Sequence, residues 1–159
     1  MPLISLSIDI NAPIERVFDL ARSIYVHKIS TKHTNETAIA GKTSGLIELN
    51  DTVTWRAKHL GFYQTLTSKI TQYNKPYFFE DCMLEGIFAG FQHQHIFEKI
   101  DDNKTMMKDE FNYTSPFGMI GKIADKLFLE NYMRNLLIKR NDVIKEIAEG
   151  EDWREILRD

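Results

Sequence analysis

The stretch SPFGMIGKIADKLFLENYMRNLLIKRNDVIKEIAE, residues 115–149, decides how the rest of the chain is read. It has no proline after Pro116. Its apolar residues return at helical spacing: Phe117, Ile120, Ala124, Leu127, Phe128, Met133, Leu136, Leu137, Val143, Ile144 and Ile147. Ser115 is a candidate cap, Pro116 suits the first helical position, and Gly150 is a plausible stop. At 1.5 Å per residue the spacing predicts a helix on the order of 50 Å long. A helix of that length needs a broad apolar partner, so the upstream chain is expected to form a curved sheet beneath it.

Working back from Ser115, the sequence alternates. Leu3 to Ile10 places Ile4, Leu6, Ile8 and Ile10 on one face of a strand. Asn11-Ala12-Pro13 breaks it, and Ile14, Val17, Phe18 and Ala21 then predict a short helix over 13–22, with more helix over 24–30. A weak strand is expected at Thr37–Ala40. Stronger ones follow at residues 52–59, 62–73, 77–84, 88–100 and 105–114, punctuated by Gly61, Asn74-Lys75-Pro76, Glu85-Gly86 and Asp101-Asp102-Asn103. The order is one strand, two short helices, about six antiparallel strands and one long helix. This is an α+β domain over residues 1–149, with a charged tail at 150–159. That tail, with Trp153, Ile156 and Leu157, reads as an extra helical turn or as a contact surface for another subunit, such as a homodimer partner.

The 159 residues are 43% hydrophobic and 27% charged, an ordinary globular composition, with a net charge of −3. No basic face is implied, so nucleic acid is not an expected partner. No run of about 18 apolar residues appears, so membrane insertion is not expected, and MPLISLSIDI lacks the form of a secretory signal. A lone cysteine, Cys82, fits a reducing, cytoplasmic setting, and its apolar surroundings predict a buried, inert thiol.

Residues two apart on a strand share a face. Taking each strand by its heavier apolar parity collects Trp55, Ala57 and His59; Phe79, Asp81 and Met83; Phe91, His93, His95 and Phe97; and Met107, Asp109, Phe111 and Tyr113. The opposite parity, with Arg56, Lys58, Gln92, Gln94, Lys108 and Glu110, suits water. Five ionisable groups on an inner face need partners, a ligand or solvent. One reading is a satisfied hydrogen-bond network of Asp81 and Asp109 with the histidines. A second is a cavity in which these groups orient a bound molecule between apolar walls. A third is a metal: His93-Gln94-His95 sets two imidazoles roughly 6.6 Å apart along a strand, with Asp81, Asp109 or His59 as third ligand. A His-x-His pair alone is weak, and neither a metal nor another cofactor is expected. His27 and His33 are expected at the surface, and Glu80 and Glu110 fall on the outer parity. No nucleophile, phosphate-loop or paired-cysteine motif is present. Gly118 and Gly121 flank the start of the long helix, where they would ease its approach to the sheet or a bend at a cavity mouth.

The opening Ile8-Asp9-Ile10-Asn11-Ala12-Pro13-Ile14-Glu15-Arg16-Val17-Phe18 resembles the first strand and helix of the START-related, birch-pollen-allergen-like superfamily (SRPBCC, polyketide cyclase-like). Trp55-Arg56-Ala57-Lys58-His59, Phe79 to Gly86, His93 to Phe97 and Tyr113 to Gly118 are similar to a bacterial ligand-binding subgroup, and the similarity spans about residues 3–148. The resemblance implies a helix-grip fold, a seven-stranded antiparallel sheet wrapped around the C-terminal helix with an apolar cavity between. It also implies a small hydrophobic or amphipathic ligand. No catalytic set of the cyclases, dehydratases or hydrolases of this superfamily maps onto the chain, so whether it is an enzyme is left open, as is a role as an interaction module. The expected ligand-binding residues are Trp55, His59, Phe79, Asp81, Met83, Phe91, His93, His95, Phe97, Met107, Asp109, Phe111 and Tyr113.

Overall fold

A computed structural model of the chain describes residues 3–115 and 128–158. The predicted helical residues Pro116, Phe117, Gly118, Ile120, Gly121, Ala124 and Leu127 lie outside this set. Alternation becomes strand at every place the sequence signals one: β1 (Leu3–Ile10), β2 (Thr37–Gly41), β3 (Thr52–His59), β4 (Phe62–Asn74), β5 (Phe78–Glu85), β6 (Gly90–Asp101) and β7 (Lys104–Thr114). They form one antiparallel sheet in the order β1-β7-β6-β5-β4-β3-β2. Consecutive strands from β2 to β7 are neighbours, and β1 closes on β7, so the chain's first strand lies beside its last.

The connection from β3 to β4 shows how sequence sets register. His59 pairs with Phe62, leaving only Leu60 and Gly61 in the loop, at φ values of 52° and 88°. Two consecutive left-handed residues match the twist of a tight hairpin, and Gly61 takes its share without a steric penalty. From β6 to β7 the turn is held by Asn103 N–H donating to Asp101 Oδ1 at 2.8 Å.

Between β1 and β2 run α1 (Ile14–Ala21), α2 (Ile24–Ser30) and a 3-10 turn at Lys32–Thr34. Ser23 caps α2, its Oγ accepting from Val26 N–H at 3.3 Å. The long C-terminal helix is α3 (Glu130–Glu149), followed by a single turn, α4 (Trp153–Ile156). The buried face of α3 carries Leu137, Arg140, Asn141, Ile144, Ile147 and Ala148.

The core divides along the inner face of the sheet. At one end α1 inserts Phe18, fully buried, in edge-to-face contact with Tyr73, Phe79 and Phe97 at 5.2–5.6 Å between centroids. Ile144, Ile147, Met107 and Phe97 join that cluster. At the other end Ile4, Phe111, Tyr113 and Leu137 form a second cluster, and Ile24, Val53 and Trp55 a third. The tail is packed down: Trp153, Ile156 and Leu157 rest on the first cluster, with the Arg16 guanidinium 3.9 Å from the Trp153 ring centre. Because Phe18 fills the joint between helix and sheet, Phe18→Ala should cost about 3–5 kcal/mol of stability. Urea denaturation should read this as a lowered midpoint with little change in slope.

Candidate functional site

Three adjacent strands bring four ionisable side chains into one lattice. Asp81 on β5 stands directly opposite His93 on β6, and His95 directly opposite Asp109 on β7. All four point inward by strand parity. The contacts run along the pairs and across the diagonals. His93 Nε2–H donates to Asp109 Oδ1 at 3.0 Å, and His95 Nε2 lies 3.2 Å from Asp81 Oδ1. His95 Nδ1 is 2.8 Å from Asp109 Oδ1 but outside hydrogen-bonding alignment, and His93 Nδ1 is 3.9 Å from Asp81 Oδ1. His95 is also stacked on Phe79, with ring centres 4.1 Å apart.

Helix α3 supplies what the sheet lacks. Asn141 Nδ2 donates to Asp109 Oδ2 at 2.6 Å, and Arg140 NH1 lies 3.5 Å from Asp109 Oδ1. Arg140 NH2 also donates to Ala21 O at 2.9 Å, tying α1 to the same point. Burial alone would raise the Asp109 carboxyl. The hydrogen bond from His93, the close His95 ring and the Arg140 charge outweigh it and hold Asp109 well below the usual carboxylate range. Asp81 is lowered in the same sense, burial being overcome by His95, His93 and Arg140. His93 is lowered by burial and by the neighbouring His95, against the pull of Asp109 and Asp81.

Beside this lattice lies a cavity of about 180 Å³ between sheet and helix. Of the residues expected from sequence, Trp55, Phe79, Asp81, Phe91, His93, His95 and Phe111 line it. Asp109 lies behind His93 and His95, with no exposure. Phe97 and Met107 belong to the cluster plugged by Phe18, Tyr113 packs in the second cluster, and Met83 ends beside Gly86; none of the four lines the cavity. His59 is also outside its wall, half-buried, with Nδ1 2.8 Å from the Tyr132 hydroxyl on α3. Burial lowers His59, partly countered by Glu36.

Several lining residues escaped the sequence reading. His27 is half-buried rather than fully at the surface: it stacks on Trp55 at 4.2 Å, with Nε2 3.3 Å from Glu36 Oε2. His27, Glu36 and Thr31 form a second polar edge of the cavity. Burial would raise Glu36, but His27, Thr31 and His59 bring it below its ordinary value. Met133, Leu136, Leu137 and Arg140 line it from α3. The signal for Arg140 was present, since it falls on the stripe Met133, Leu137, Ile144, Ile147 where an apolar residue is due.

The outer face corrects two further expectations. Glu80 is only 2% exposed, covered by a thin canopy of side chains: Thr71 Oγ1 and Gln72 Nε2 donate to Oε1, and Gln92 and Gln94 Nε2 to Oε2, at 2.7–3.1 Å. These donors overcome burial and lower its carboxyl. Cys82, beside it, is half-buried rather than buried; burial and the Glu80 carboxylate push its thiol up, away from the reactive thiolate. A wider groove of about 730 Å³ runs outside the sheet–helix interior, between α2, residues 43–46 and the α3–α4 end. Its walls include the exposed Tyr25 and Ile29 and no histidine, so the smaller inner cavity is the chemically equipped one.

Two outcomes follow from the lattice. Asp109→Ala leaves Arg140 buried without its carboxylate and should destabilise by about 3–5 kcal/mol in urea unfolding. With Asp81 and Asp109 below 3.8 and His93 below 6.5, the unfolded chain binds more protons than the folded one in both windows. Stability should therefore fall as the pH drops below 6.5, and fall again below the unfolded carboxylate value of 3.8. Unfolding free energies measured across that range check the sign.

No protein-family model matches the chain, and no curated protein matches it. Solved structures do. Protein TTHA0849 from Thermus thermophilus is 18% identical with a TM-score of 0.74, over 92% of this chain and 97% of that one. A START superfamily protein from Mycobacterium smegmatis is 10% identical with a TM-score of 0.70, over 91% and 97%. The Zhui aromatase/cyclase from Streptomyces sp. R1128 is 10% identical with a TM-score of 0.62, over 92% and 95%. Together with the seven-stranded sheet closed over α3, these likenesses show that the chain has the helix-grip fold of these structures.

Proposed function

We propose that the chain binds a small amphipathic molecule with an apolar body of about one ring and a hydroxyl at one end. The observation that carries this is the inner cavity, with aromatic and aliphatic walls and the Asp81 and His93 side chains at one side. Size limits the ligand. An apolar cavity of about 150 Å³ holds a benzene, so about 180 Å³ admits a body of that order. The polar end is constrained by charge. Asp81 is ionised at neutral pH and can only accept. His93 gives its proton to Asp109 and turns Nδ1, a lone pair, toward Asp81. A hydroxyl has the proton these acceptors want, whereas a carboxylate would be repelled.

The test uses the two tryptophans. Trp153→Phe leaves Trp55, on the cavity wall, as the sole fluorescent indole. Titration with 4-ethylphenol and with hexanol should give a saturable change in its emission, lost in Leu137→Phe, which fills the space. If no member of such a panel binds saturably to the folded protein, the proposal fails.

A second reading is acid–base catalysis, favoured by the Asp109–His93 contact: a buried carboxylate fixes one ring nitrogen and leaves the other beside the cavity. His93→Gln would then abolish turnover of a bound molecule while leaving its binding largely intact. Equal loss of both favours the binder.

A further inference from the structure

We infer that Asp81, His93 and His95 form a mononuclear site for a divalent first-row transition ion, zinc in the first instance. One carboxylate oxygen and one nitrogen of each imidazole lie within 4.8 Å of one another. His95 Nε2 and His93 Nδ1 are 3.2 and 3.9 Å from Asp81 Oδ1. Ligands at about 2.0–2.2 Å from zinc stand roughly 3.3 Å apart in a tetrahedron, so small side-chain rotations suffice.

The contacts around His95 favour an ion there. His95 stands between two ionised carboxylates, with Nδ1 2.8 Å from Asp109 Oδ1 and Nε2 3.2 Å from Asp81 Oδ1. The Nε2 contact with Asp81 is aligned as a hydrogen bond, while Nδ1 is buried without an aligned hydrogen-bond partner among the described residues. His93, with its Nε2 proton on Asp109, turns its Nδ1 lone pair toward Asp81, and a cation that replaced the proton between His95 Nε2 and Asp81 would leave a His95 Nδ1–H for Asp109. A cation at that point would bond at once to Asp81 Oδ1, His93 Nδ1 and His95 Nε2. Asp109 then plays the part of the outer carboxylate that fixes the tautomer of metal-ligating histidines. It meets His93 Nε2 at 3.0 Å and is itself held by Asn141 and Arg140. The formal charge suits a dication: Asp81 and Asp109 bring −2 against the single charge of Arg140.

The geometry also selects the third ligand. His59 is turned to Tyr132, and Asp109 sits behind the histidines, which leaves Asp81. Three protein ligands leave a coordination position open to the cavity, where the oxygen of a hydroxyl ligand can bind. The ion's three protein ligands are in place whatever fills the apolar part of that cavity.

The test uses untagged full-length protein, stripped with chelator and titrated with Co²⁺, then Zn²⁺. One Co²⁺ per chain should bind with visible d–d absorption of a four- or five-coordinate centre, and Zn²⁺ should displace it and raise the melting temperature. His93→Gln and Asp81→Asn, checked for fold by circular dichroism, should each weaken Co²⁺ binding by at least about tenfold, while the exposed His33→Ala should not. No uptake of either ion by folded protein at millimolar concentration overturns the inference. So does Co²⁺ binding that survives in His93→Gln and Asp81→Asn. Phenol binding to the stripped protein is scored separately, so loss of the metal site and loss of the ligand proposal are distinguishable.

Discussion

Asp109 lies on an interior strand of the sheet with no solvent to stabilise its charge, and four side chains converge to do so. Two come from β6 and two from α3. A buried carboxylate without partners would be several kcal/mol uphill. The demand is therefore met from both layers at once, and this couples them: the helix cannot rotate or slide without uncovering the charge. Arg140 extends the coupling to α1 through Ala21 O. Sheet, C-terminal helix and first helix thus meet at one polar point in the interior.

That point divides the space under the sheet. On one side Phe18 packs with the α3 residues Ile144 and Ile147, and side chains such as Phe97 and Met107 are ordinary core. On the other side Met133, Leu136, Leu137 and Arg140 of α3 face the sheet across the cavity. Its polar wall on this side, His93, His95 and Arg140, is drawn from the groups that lock the layers together. Chemistry and architecture share residues here, which is why the ring nitrogens and carboxylate oxygens are held so closely.

The sheet was legible from sequence because its code is simple. Period-two alternation placed Asp81, His93, His95 and Asp109 on one face, and the paired register then made them neighbours. Parity says which face a residue takes but not how far along the strand the cavity extends. That limit depends on where α1 enters, so Phe97, Met107 and Tyr113 shared the face without lining the space. Residues arriving from helices and loops were harder. His27 and Glu36 meet only through the fold of residues 24–36, which no local period encodes. Arg140 and Asn141 could be suspected only as polar interruptions of an apolar stripe. Glu80 was placed on the correct side but not recognised as covered, since its cover is assembled from β4 and β6.

The checkerboard of acids and imidazoles across β5, β6 and β7 has a consequence for how the sheet assembles. In a β-sheet a one-residue slip turns a whole strand over. For β6 such a slip would carry both histidines to the outer surface and present Gln92 and Gln94 to the interior, leaving Asp109 facing amides and aromatic rings. Apolar residues reject that slip but discriminate weakly between registers two residues apart, which keep the same face inward, because one greasy side chain substitutes for another. Ionised groups do not. The lattice therefore acts as a proofreading device for strand alignment, rejecting mispaired sheets by the electrostatic energy they would strand inside.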